Sequence, residues 1–384
     1  MKIAMVGQFP PHIGGVGVHI HSLSKELLKN GEEVFVITYP HKDIKNDENE
    51  EYMDYNGIKV ISTYGINIGG IRSLFYTFFG TLQLIKTVRK YNIDIIHGHY
   101  LFPAGLIAVL AGIFTKKKVY VTAHGSDIFC LYPQHKFMQP VIKFVLKKVD
   151  VVLAVSEALK EEILKINIPN IGNKVKLNWN TVNINEFKPE DDLSLDDMQS
   201  LKSLKKELNI PENKHVIIFV GNIIKRKNVA TILDGKKHLK SDCTLVVVGD
   251  GPLLSNLKEK AKDEEIRDVI FTGARNDVAD LIRISDILIL PSFSESFGLV
   301  LIEALACGKP VIGSNVGGIK EIITKDVGLL VEPNDYNGLA NAIDLILTDN
   351  DLREKFKLNA RNRAIDFAEV DIPYYEDKLN EKIK

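Results

Sequence analysis

Hydrophobic positions along the chain form short runs of β-branched residues that alternate with longer amphipathic stretches. In the first half these runs predict strands at Lys2–Gly7, Glu33–Thr38, Ile93–His97, Val119–Ala123 and Val149–Val155. The stretch Val18–Lys29 places Ile20, Leu23, Leu27 and Leu28 on one face, which predicts a helix packed on a core. Near-continuous apolar strands separated by helices are typical of parallel sheets that are covered on both faces.

The same alternation restarts after about residue 188. It predicts strands at His215–Gly221, Thr244–Gly249, Val269–Thr272, Asp286–Pro291 and Pro310–Gly313, and helices at Asn228–His238, Leu253–Ala261, Asp277–Arg283, Leu299–Ala306, Ile319–Ile323 and Tyr336–Thr348. The polar stretch Asn183–Leu204, with its acidic run EDDLSLDD, predicts a linker, and its carboxylates indicate a solvated face more than a metal site. The fold class is therefore α/β, with two Rossmann-like doubly wound domains in tandem.

Length and charge narrow the class of protein further. A chain of 384 residues is longer than one ordinary domain. Its net charge of -1 argues against a nucleic-acid partner, because such proteins carry a basic excess that faces phosphates. The N-terminus MKIAMVGQF reads as a first strand and not as a signal peptide, and the apolar run Leu101–Phe114 is too short to span a bilayer. We therefore expect a cytoplasmic protein, with peripheral contact at the inner face of the membrane left open.

Two glycine-rich turns follow predicted strands, where open α/β sheets bind ligands. In GQFPPHIGGVGVHIHSL, Gly14 and Gly15 allow backbone N–H groups to approach an anion, although the spacing fits neither the dinucleotide fingerprint nor the P-loop. In VVVGDGPL, Gly251 precedes a predicted helix. Each turn is explained equally well by ligand contact and by tight-turn geometry.

A third turn carries two carboxylates, Glu295 before a predicted helix and Glu303 on that helix. Its segment reads PSFSESFGLVLIEALACGKPVIGSNVGGIKEII. The first N–H groups of this helix can bind an anion, and an acid at a helix start also stabilises the helix dipole. Glu303 is flanked by apolar residues, where a carboxylate requires hydrogen-bond partners such as sugar or ribose hydroxyls.

These segments resemble the retaining glycosyltransferases of the GT-B architecture known as glycosyltransferase family 4, or glycosyl transferases group 1. The likeness covers nearly the whole chain in order. It includes residues 8–17, the segment VTAHGSDIF with His124 and Asp127, the segment GNIIKRKN, and the E-x7-E motif of residues 295–303. The resemblance implies an acceptor-side domain over residues 1–185 and a nucleotide-sugar domain over 186–365, which face a central cleft. It also implies a helical segment over 366–384 that returns to the first domain.

The resemblance also implies roles for single residues. His124, Glu295 and Lys227 would be catalytic, with His124 and Glu295 at the sugar and Lys227 at the leaving diphosphate. Donor contacts would come from Gly14, Gly15, Asn222, Arg226, Gly251, Phe297, Gly298, Leu299, Val300 and Glu303. Glu303 would take the ribose hydroxyls.

This sequence departs from the family pattern at Asn222, which stands where the family has an arginine beside the lysine. Asparagine brings no charge to the diphosphate, so Lys225 or Arg226 would have to compensate. In the segment LNWNTVNINEF, Thr181 and Asn183 replace a family glycine and aspartate, which puts any role of those positions in doubt.

The expected activity is transfer of a hexose, with retention and without a divalent metal or other cofactor. A UDP-sugar is the favoured donor and GDP-mannose the second. The acceptor would be a glycan or a lipid-linked molecule. The enzyme would act in polysaccharide or glycolipid biosynthesis. A nucleotide-sugar 2-epimerase and a non-catalytic nucleotide-sugar binder are the alternatives. The basic, aromatic segments Ile71–Lys90 and Leu131–Val149 raise the question of membrane contact, although helical spacing of this kind usually indicates a core-facing stripe.

Overall fold

A computed structural model describes residues 1–11, 15–40, 44, 52–64, 72–368 and 375 of the chain. These residues form two compact units, one of residues 1–180 together with 370–384 and the other of residues 181–369. The units therefore divide five residues before the predicted boundary at 185, and the second unit extends four residues beyond the predicted end at 365. Of the terminal segment 369–384, only Tyr375 is described, so the predicted helix there lies outside the described residues.

The first unit is built on an eight-stranded sheet. Its strands are β1 Lys2–Val6, β2 Glu33–Thr38, β3 Met53–Tyr55, β4 Ile58–Ser62, β5 Ile95–His99, β6 Lys118–Ala123, β7 Val151–Ala154 and β8 Val175–Leu177. Its helices are α1 Gly15–Lys29, α2 Arg72–Tyr91, α3 Leu106–Thr115, α4 Tyr132–Gln134, α5 Gln139–Lys148 and α6 Glu157–Leu164. The strand order is β3-β4-β2-β1-β5-β6-β7-β8, and every pair is parallel except the β3–β4 hairpin.

The second unit begins with α7 Leu195–Glu207 and is built on a six-stranded sheet. Its strands are β9 His215–Val220, β10 Cys243–Val248, β11 Val269–Gly273, β12 Ile287–Leu290, β13 Val311–Ser314 and β14 Gly328–Val331. Its other helices are α8 Val229–Lys236, α9 Leu254–Asp263, α10 Val278–Arg283, α11 Leu299–Ala306, α12 Ile319–Ile322, α13 Tyr336–Thr348 and α14 Asn350–Ile365. All pairs are parallel, in the order β11-β10-β9-β12-β13-β14.

Both sheets are doubly wound, as the sequence predicted. In each unit the chain starts in the middle of the sheet, builds outward in one direction and then crosses to build the other half. The strand order therefore reverses between β1 and β5 in the first unit and between β9 and β12 in the second. At such a switch point the loops after two neighbouring strands diverge and leave a crevice, which is where open α/β sheets bind ligands.

The predicted linker was wrong over its C-terminal part. Leu195–Glu207 is a helix whose start is fixed by a capping box, in which Ser194 and Asp197 each satisfy the other's backbone N–H. The acidic run that suggested a solvated connection therefore supplies helix-start residues. Leu201 and Leu204 provide the buried face of this helix.

The β3–β4 hairpin was not predicted, although its turn has a sequence signal. Asn56 and Gly57 join the strands with φ values of 54° and 87°. A two-residue hairpin loop with two positive φ angles favours Asn-Gly, because asparagine and glycine tolerate the left-handed region best. The strand predicted at Ile93–His97 was displaced by two residues, and β5 instead ends at His99.

Candidate active site

At the switch point of the second unit, a buried carboxylate is held by two cations. Glu295 lies in the loop after β12 and is only 6% exposed. Its Oε2 accepts a hydrogen bond from Lys227 Nζ at 2.5 Å, and its Oε1 accepts one from Arg226 Nη1 at 3.1 Å. Arg226 and Lys227 belong to the turn that follows β9. The reversal of strand order therefore brings together residues that lie 68 and 69 positions apart in sequence.

The electrostatic balance keeps this carboxyl group ionised. Burial by itself raises the pKa of Glu295, but the charges and hydrogen bonds of Lys227 and Arg226 outweigh it and hold the pKa below its usual value. Ser292 Oγ donates a further hydrogen bond to Oε2 at 3.3 Å. Both cationic side chains stay partly exposed, at 28% for Arg226 and 14% for Lys227. They can therefore meet an anionic ligand while they orient Glu295.

Two glycines allow the Glu295 loop to lie against the turn after β13. A Cβ atom on Gly317 would lie 2.0 Å from the carbonyl oxygen of Glu295, and one on Gly318 would lie 2.3 Å from that of Ser296. The N–H of Gly318 donates to the Glu295 carbonyl at 3.0 Å. The Gly-Gly pair in GSNVGGIKEI is thus required by close backbone approach.

Helix α11 begins directly beside Glu295. Gly298 precedes it with a φ of 107°, and no side chain caps the helix start. The first N–H groups of the helix, those of Leu299 and Val300, therefore lack a side-chain acceptor and form a site suited to an anion. Phe297 is 1% exposed and packs edge-on against the ring of Phe367, which anchors the loop at this point.

Glu303 lies one turn into α11 and is half-buried. Burial and the nearby charge of Glu186 raise its pKa to about 7. Among the described residues, none donates a hydrogen bond to this carboxyl group. A carboxylate in an apolar surrounding with spare acceptor capacity is suited to bind hydroxyl groups.

The turn after β10 packs on the turn after β9. A Cβ on Gly249 would lie 2.0 Å from the carbonyl oxygen of Gly221, and one on Gly251 would lie 2.4 Å from that of Ile223. Close packing thus explains why both positions are glycine, and a donor contact at Gly251 stays a prediction. Asn222, in the same turn, is exposed, and its carbonyl accepts the Ile224 N–H at 3.0 Å.

In the first unit, histidines gather at the switch point. His124 follows β6, His99 ends β5 and His19 lies on α1. His99 Nδ1 is 3.3 Å from His124 Nε2, and the ring centroid of His19 lies 5.5 Å from that of His99 and 5.2 Å from that of His124. Burial lowers the pKa of His19 to about 4 and holds the pKa values of His99 and His124 well below the usual value. All three rings are therefore neutral at physiological pH.

A cleft of about 420 Å³ opens beside these histidines within the first unit. Its walls include Tyr39, His99 and Asp127. Asp127 is buried and accepts the Leu101 N–H at 2.5 Å, and burial raises its pKa to about 6. A cleft with aromatic, hydroxyl and carboxyl groups in its walls can accommodate a polar organic molecule.

Comparison with known proteins decides the family. Residues 202–363 match the model of glycosyl transferases group 1, and residues 13–186 match that of Glycosyltransferase Family 4. The chain is 32% identical over 380 residues to N-acetyl-alpha-D-glucosaminyl L-malate synthase of Bacillus anthracis. The alignment covers 97% of this chain and 92% of that relative. The protein belongs to glycosyltransferase family 4.

Solved structures agree with the glycosyltransferase fold. Sucrose-phosphate synthase from Thermosynechococcus elongatus superposes with a TM-score of 0.79 at 21% identity, and the match covers 100% of this chain and 98% of that one. HepE of Anabaena in complex with UDP-glucose gives a TM-score of 0.77 at 20% identity, covering 100% and 99%. The GT-B architecture predicted from the sequence is therefore confirmed.

Most of the predicted site residues of this glycosyltransferase lie at the two switch points. His124 lies at the switch point of the first unit. The residues at or beside the switch point of the second unit are Glu295, Lys227, Arg226, Phe297, Gly298, Leu299 and Val300. Gly15 is the first residue of α1, whereas Gly14 lies outside the described residues. The roles of all these residues stay predictions.

Sequence reasoning missed His19 and His99 as members of the histidine cluster. His99 was overlooked because the predicted strand ended at His97, whereas β5 continues to His99. His19 was hidden within a helix pattern that was read only for its apolar face. The signal present in the sequence was the repetition of histidine in HGHY, at a predicted strand end, and in VHIHSL, at the start of a predicted helix.

Proposed function

We propose that this glycosyltransferase moves a hexose from a UDP-sugar, with retention of anomeric configuration, to a glycan or a lipid-linked acceptor. The observation that carries the proposal is the ionised Glu295 held by Lys227 and Arg226 beside the uncapped start of α11. Cations and free N–H groups next to a carboxylate suit a molecule that joins a diphosphate to a sugar. GDP-mannose is the second candidate donor.

The diphosphate would be bound by positive charge and by backbone dipoles. Lys227 and Arg226 would face the phosphates, and the N–H groups of Leu299 and Val300 would add hydrogen bonds at the helix start. As the sugar departs, charge grows on the diphosphate oxygen, and these fixed donors stabilise the transition state more than the ground state. Because protein cations would supply this charge, we propose that transfer needs no divalent metal.

The two carboxylates would have different tasks. Glu295, oriented by its ion pairs, would accept hydrogen bonds from hydroxyls of the transferred sugar. Glu303 would accept the ribose hydroxyls, which matches its unused acceptor capacity. The presence of UDP-glucose in the structure of Anabaena HepE, a protein of the same fold, supports a uridine nucleotide.

Retention would follow from attack on the face that the diphosphate leaves. The acceptor oxygen would bond to the anomeric carbon while the bond from that carbon to the phosphate oxygen breaks, and the acceptor proton would pass to the departing phosphate. Glu295 is a poor nucleophile because two cations hold its oxygens. The neutral His124, from the first unit, would face the sugar near the reacting carbon and accept or donate a hydrogen bond.

The acceptor would bind in the 420 Å³ cleft of the first unit. A lipid-linked acceptor would also require contact with a membrane. Among the described residues, no helix combines the length and the apolar composition needed to cross a bilayer. A peripheral contact is supported by α2, where Leu74, Phe78 and Leu82 follow at four-residue spacing and are 66%, 60% and 51% exposed. Lys86 and Lys90 continue the same row of the helix at its C-terminal end.

This row has the character of a peripheral membrane helix, with an apolar stripe and basic residues at one end. We propose that it rests on anionic lipid. The second basic segment supports the proposal less well. Residues 131–149 are not one helix, and Ile142, Val145 and Leu146 of α5 are buried in the core. Phe137 is the one large apolar side chain of this segment that is mainly exposed.

A panel of nucleotide-sugars tests the proposed donor. The melting temperature would be measured with UDP-glucose, UDP-N-acetylglucosamine, GDP-mannose and ADP-glucose, and a ligand at 100 times its Kd adds about 2.7 kcal/mol. We expect a UDP-sugar to stabilise most. Slow release of UDP and free sugar in the α configuration would support a retaining transferase. Interconversion of the sugar would identify an epimerase, and binding without any turnover would identify a non-catalytic binder.

A further inference from the structure

The histidine cluster of the first unit brings together three metal-binding side chains from distant parts of the chain. One ring nitrogen of each of His19, His99 and His124 lies within 4.8 Å of the other two. The residues come from α1, β5 and the turn after β6, which meet at the switch point of the sheet. Nothing in the proposed transfer reaction requires three imidazoles at this place.

The spacing fits tetrahedral coordination. Zinc binds imidazole nitrogen at about 2.0–2.1 Å, so two nitrogens on one tetrahedral ion lie about 3.3–3.4 Å apart. His99 Nδ1 and His124 Nε2 are separated by 3.3 Å. The nitrogen of His19 needs to approach the other two by no more than about 1.5 Å, and rotation of its ring about χ2, a broad torsion, provides that movement.

A buried histidine is often explained by an ordinary hydrogen-bond network, and His97 is such a case. Its Nδ1 contacts the hydroxyl group of Tyr375, and its Nε2 lies 2.7 Å from Thr122 Oγ1. His99 differs, since its Nε2 is buried without a hydrogen-bond partner among the described residues. Hydrogen bonding within the protein therefore satisfies His97 fully and His99 only in part.

We propose that His19, His99 and His124 form a binding site for a divalent transition-metal ion of the zinc type. Three imidazole ligands leave a fourth position open for water or another small ligand. On metal binding, the proton that lies between His99 Nδ1 and His124 Nε2 moves to the other nitrogen of its own ring, so both lone pairs face the ion and no proton is lost.

Solvent reaches the cluster at His19, which is partly exposed. His99 is buried and belongs to the wall of the 420 Å³ cleft. One consequence rests on the proposed function: an ion that holds His124 removes its lone pair from the sugar, so Zn²⁺ inhibits transfer. Metal binding itself does not depend on that function.

The test uses Co²⁺ as a spectroscopic probe for the zinc-type site in the full-length, chelator-treated protein. Tetrahedral Co²⁺ absorbs strongly in the visible range, whereas Co²⁺ in an octahedral shell of water and surface ligands absorbs weakly. We expect one equivalent of Co²⁺ to give the strong absorption and one equivalent of Zn²⁺ to abolish it. His19→Gln and His99→Gln should each weaken Co²⁺ binding more than about 100-fold, because loss of an outer-shell partner alone costs about 10–100-fold.

His21→Gln is the matched control. His21 lies on the same helix as His19 and also has a buried nitrogen without a partner, but it lies outside the cluster. Its substitution should leave Co²⁺ binding unchanged. Equal binding by wild type and by the folded His19→Gln variant would overturn the proposal, as would a weak octahedral spectrum at one equivalent. His19 is partly exposed, so this variant decides the matter even if His99→Gln fails to fold.

Discussion

Lys227 Nζ lies 2.5 Å from Glu295 Oε2, so a cation suited to a diphosphate is paired with a carboxylate of the protein itself. A bound diphosphate would compete for Lys227 and Arg226, and the hydroxyls of the sugar would compensate Glu295. The pair therefore couples the phosphate end of the donor to its sugar end.

Glu295→Gln keeps the shape of the side chain and removes its charge. Because Lys227 and Arg226 are then released toward the phosphates, the Kd for UDP should stay equal or fall, while kcat drops about 10²–10³-fold. Lys227→Ala should lower kcat to a similar extent and also weaken UDP binding. Calorimetry with UDP and steady-state kinetics measure the two effects. Full turnover in Glu295→Gln would contradict the assignment of this residue to the sugar.

Glu303 should make donor binding pH-dependent. Its pKa of about 7 means that the carboxyl group is largely neutral at pH 6 and ionised at pH 8. Ribose hydroxyls bind the ionised form better, so the affinity for UDP-glucose should rise about tenfold between these pH values. UDP-glucose is the right probe because its diphosphate, esterified at both ends, does not titrate in this window.

Glu303→Gln is the control for that pH dependence. An amide does not titrate, so its affinity for UDP-glucose should be flat between pH 6 and pH 8, and weaker than that of the wild type at pH 8. If the variant shows the same tenfold rise, another group is responsible and Glu303 does not bind the ribose.

Gly317→Ala tests the backbone contact that positions Glu295. Gly317 has a φ of +46°, and a Cβ there would lie 2.0 Å from the Glu295 carbonyl oxygen. Gly273→Ala is the matched control, because Gly273 has a φ of +73° and open space around it. The control should cost about 1–2 kcal/mol of unfolding free energy from left-handed strain alone.

The Gly317 variant should cost about 1–3 kcal/mol more than the control, since the loops must separate. It should also lower kcat, because Glu295 moves with its backbone. Urea unfolding and kinetics of the two variants provide the comparison. Equal costs at both positions would show that the loop contact is unimportant for stability.

Asn222→Arg restores the charge that the family pattern has at this position. Asn222 is exposed, so an arginine fits without a core rearrangement. Donor affinity should stay equal or improve by up to about tenfold, which corresponds to about 1.4 kcal/mol. Asn222→Gln, of similar polarity but without charge, is the control and should change nothing. Weaker UDP-glucose binding by the arginine variant alone would indicate a different phosphate position.

The exposed row on α2 should bind anionic vesicles. Co-sedimentation should be salt-sensitive, because the electrostatic part is screened within about 10 Å at 0.1 M ionic strength. Replacing Leu74, Phe78 and Leu82 together by serine should abolish it, and replacing Lys86, Arg89 and Lys90 by serine should weaken it. The comparison is a variant in which Lys143, Lys147 and Lys148 of α5 are replaced by serine. Equal recovery in the supernatant with and without vesicles would leave a water-soluble acceptor as the better hypothesis.

The sequence alone determined the class of each element whose pattern is strong. Buried parallel strands such as β9 and β10 consist almost wholly of β-branched and other apolar residues, and helices such as α11 and α13 have a continuous apolar face, so local composition suffices. The acidic start of α7 was misread because a helix-capping pattern and a solvated linker share the same residues. Only the burial of Leu201 and Leu204 distinguishes them.

The tertiary structure alone decided which distant residues meet. Lys227 and Glu295 lie on different loops, and their contact exists because β9 and β12 pair side by side at the reversal of strand order. His19, His99 and His124 converge for the same reason at β1, β5 and β6. Strand order is set by packing over the whole sheet. Local patterns therefore fix which residues end a strand, while pairing across the sheet fixes which ends become neighbours.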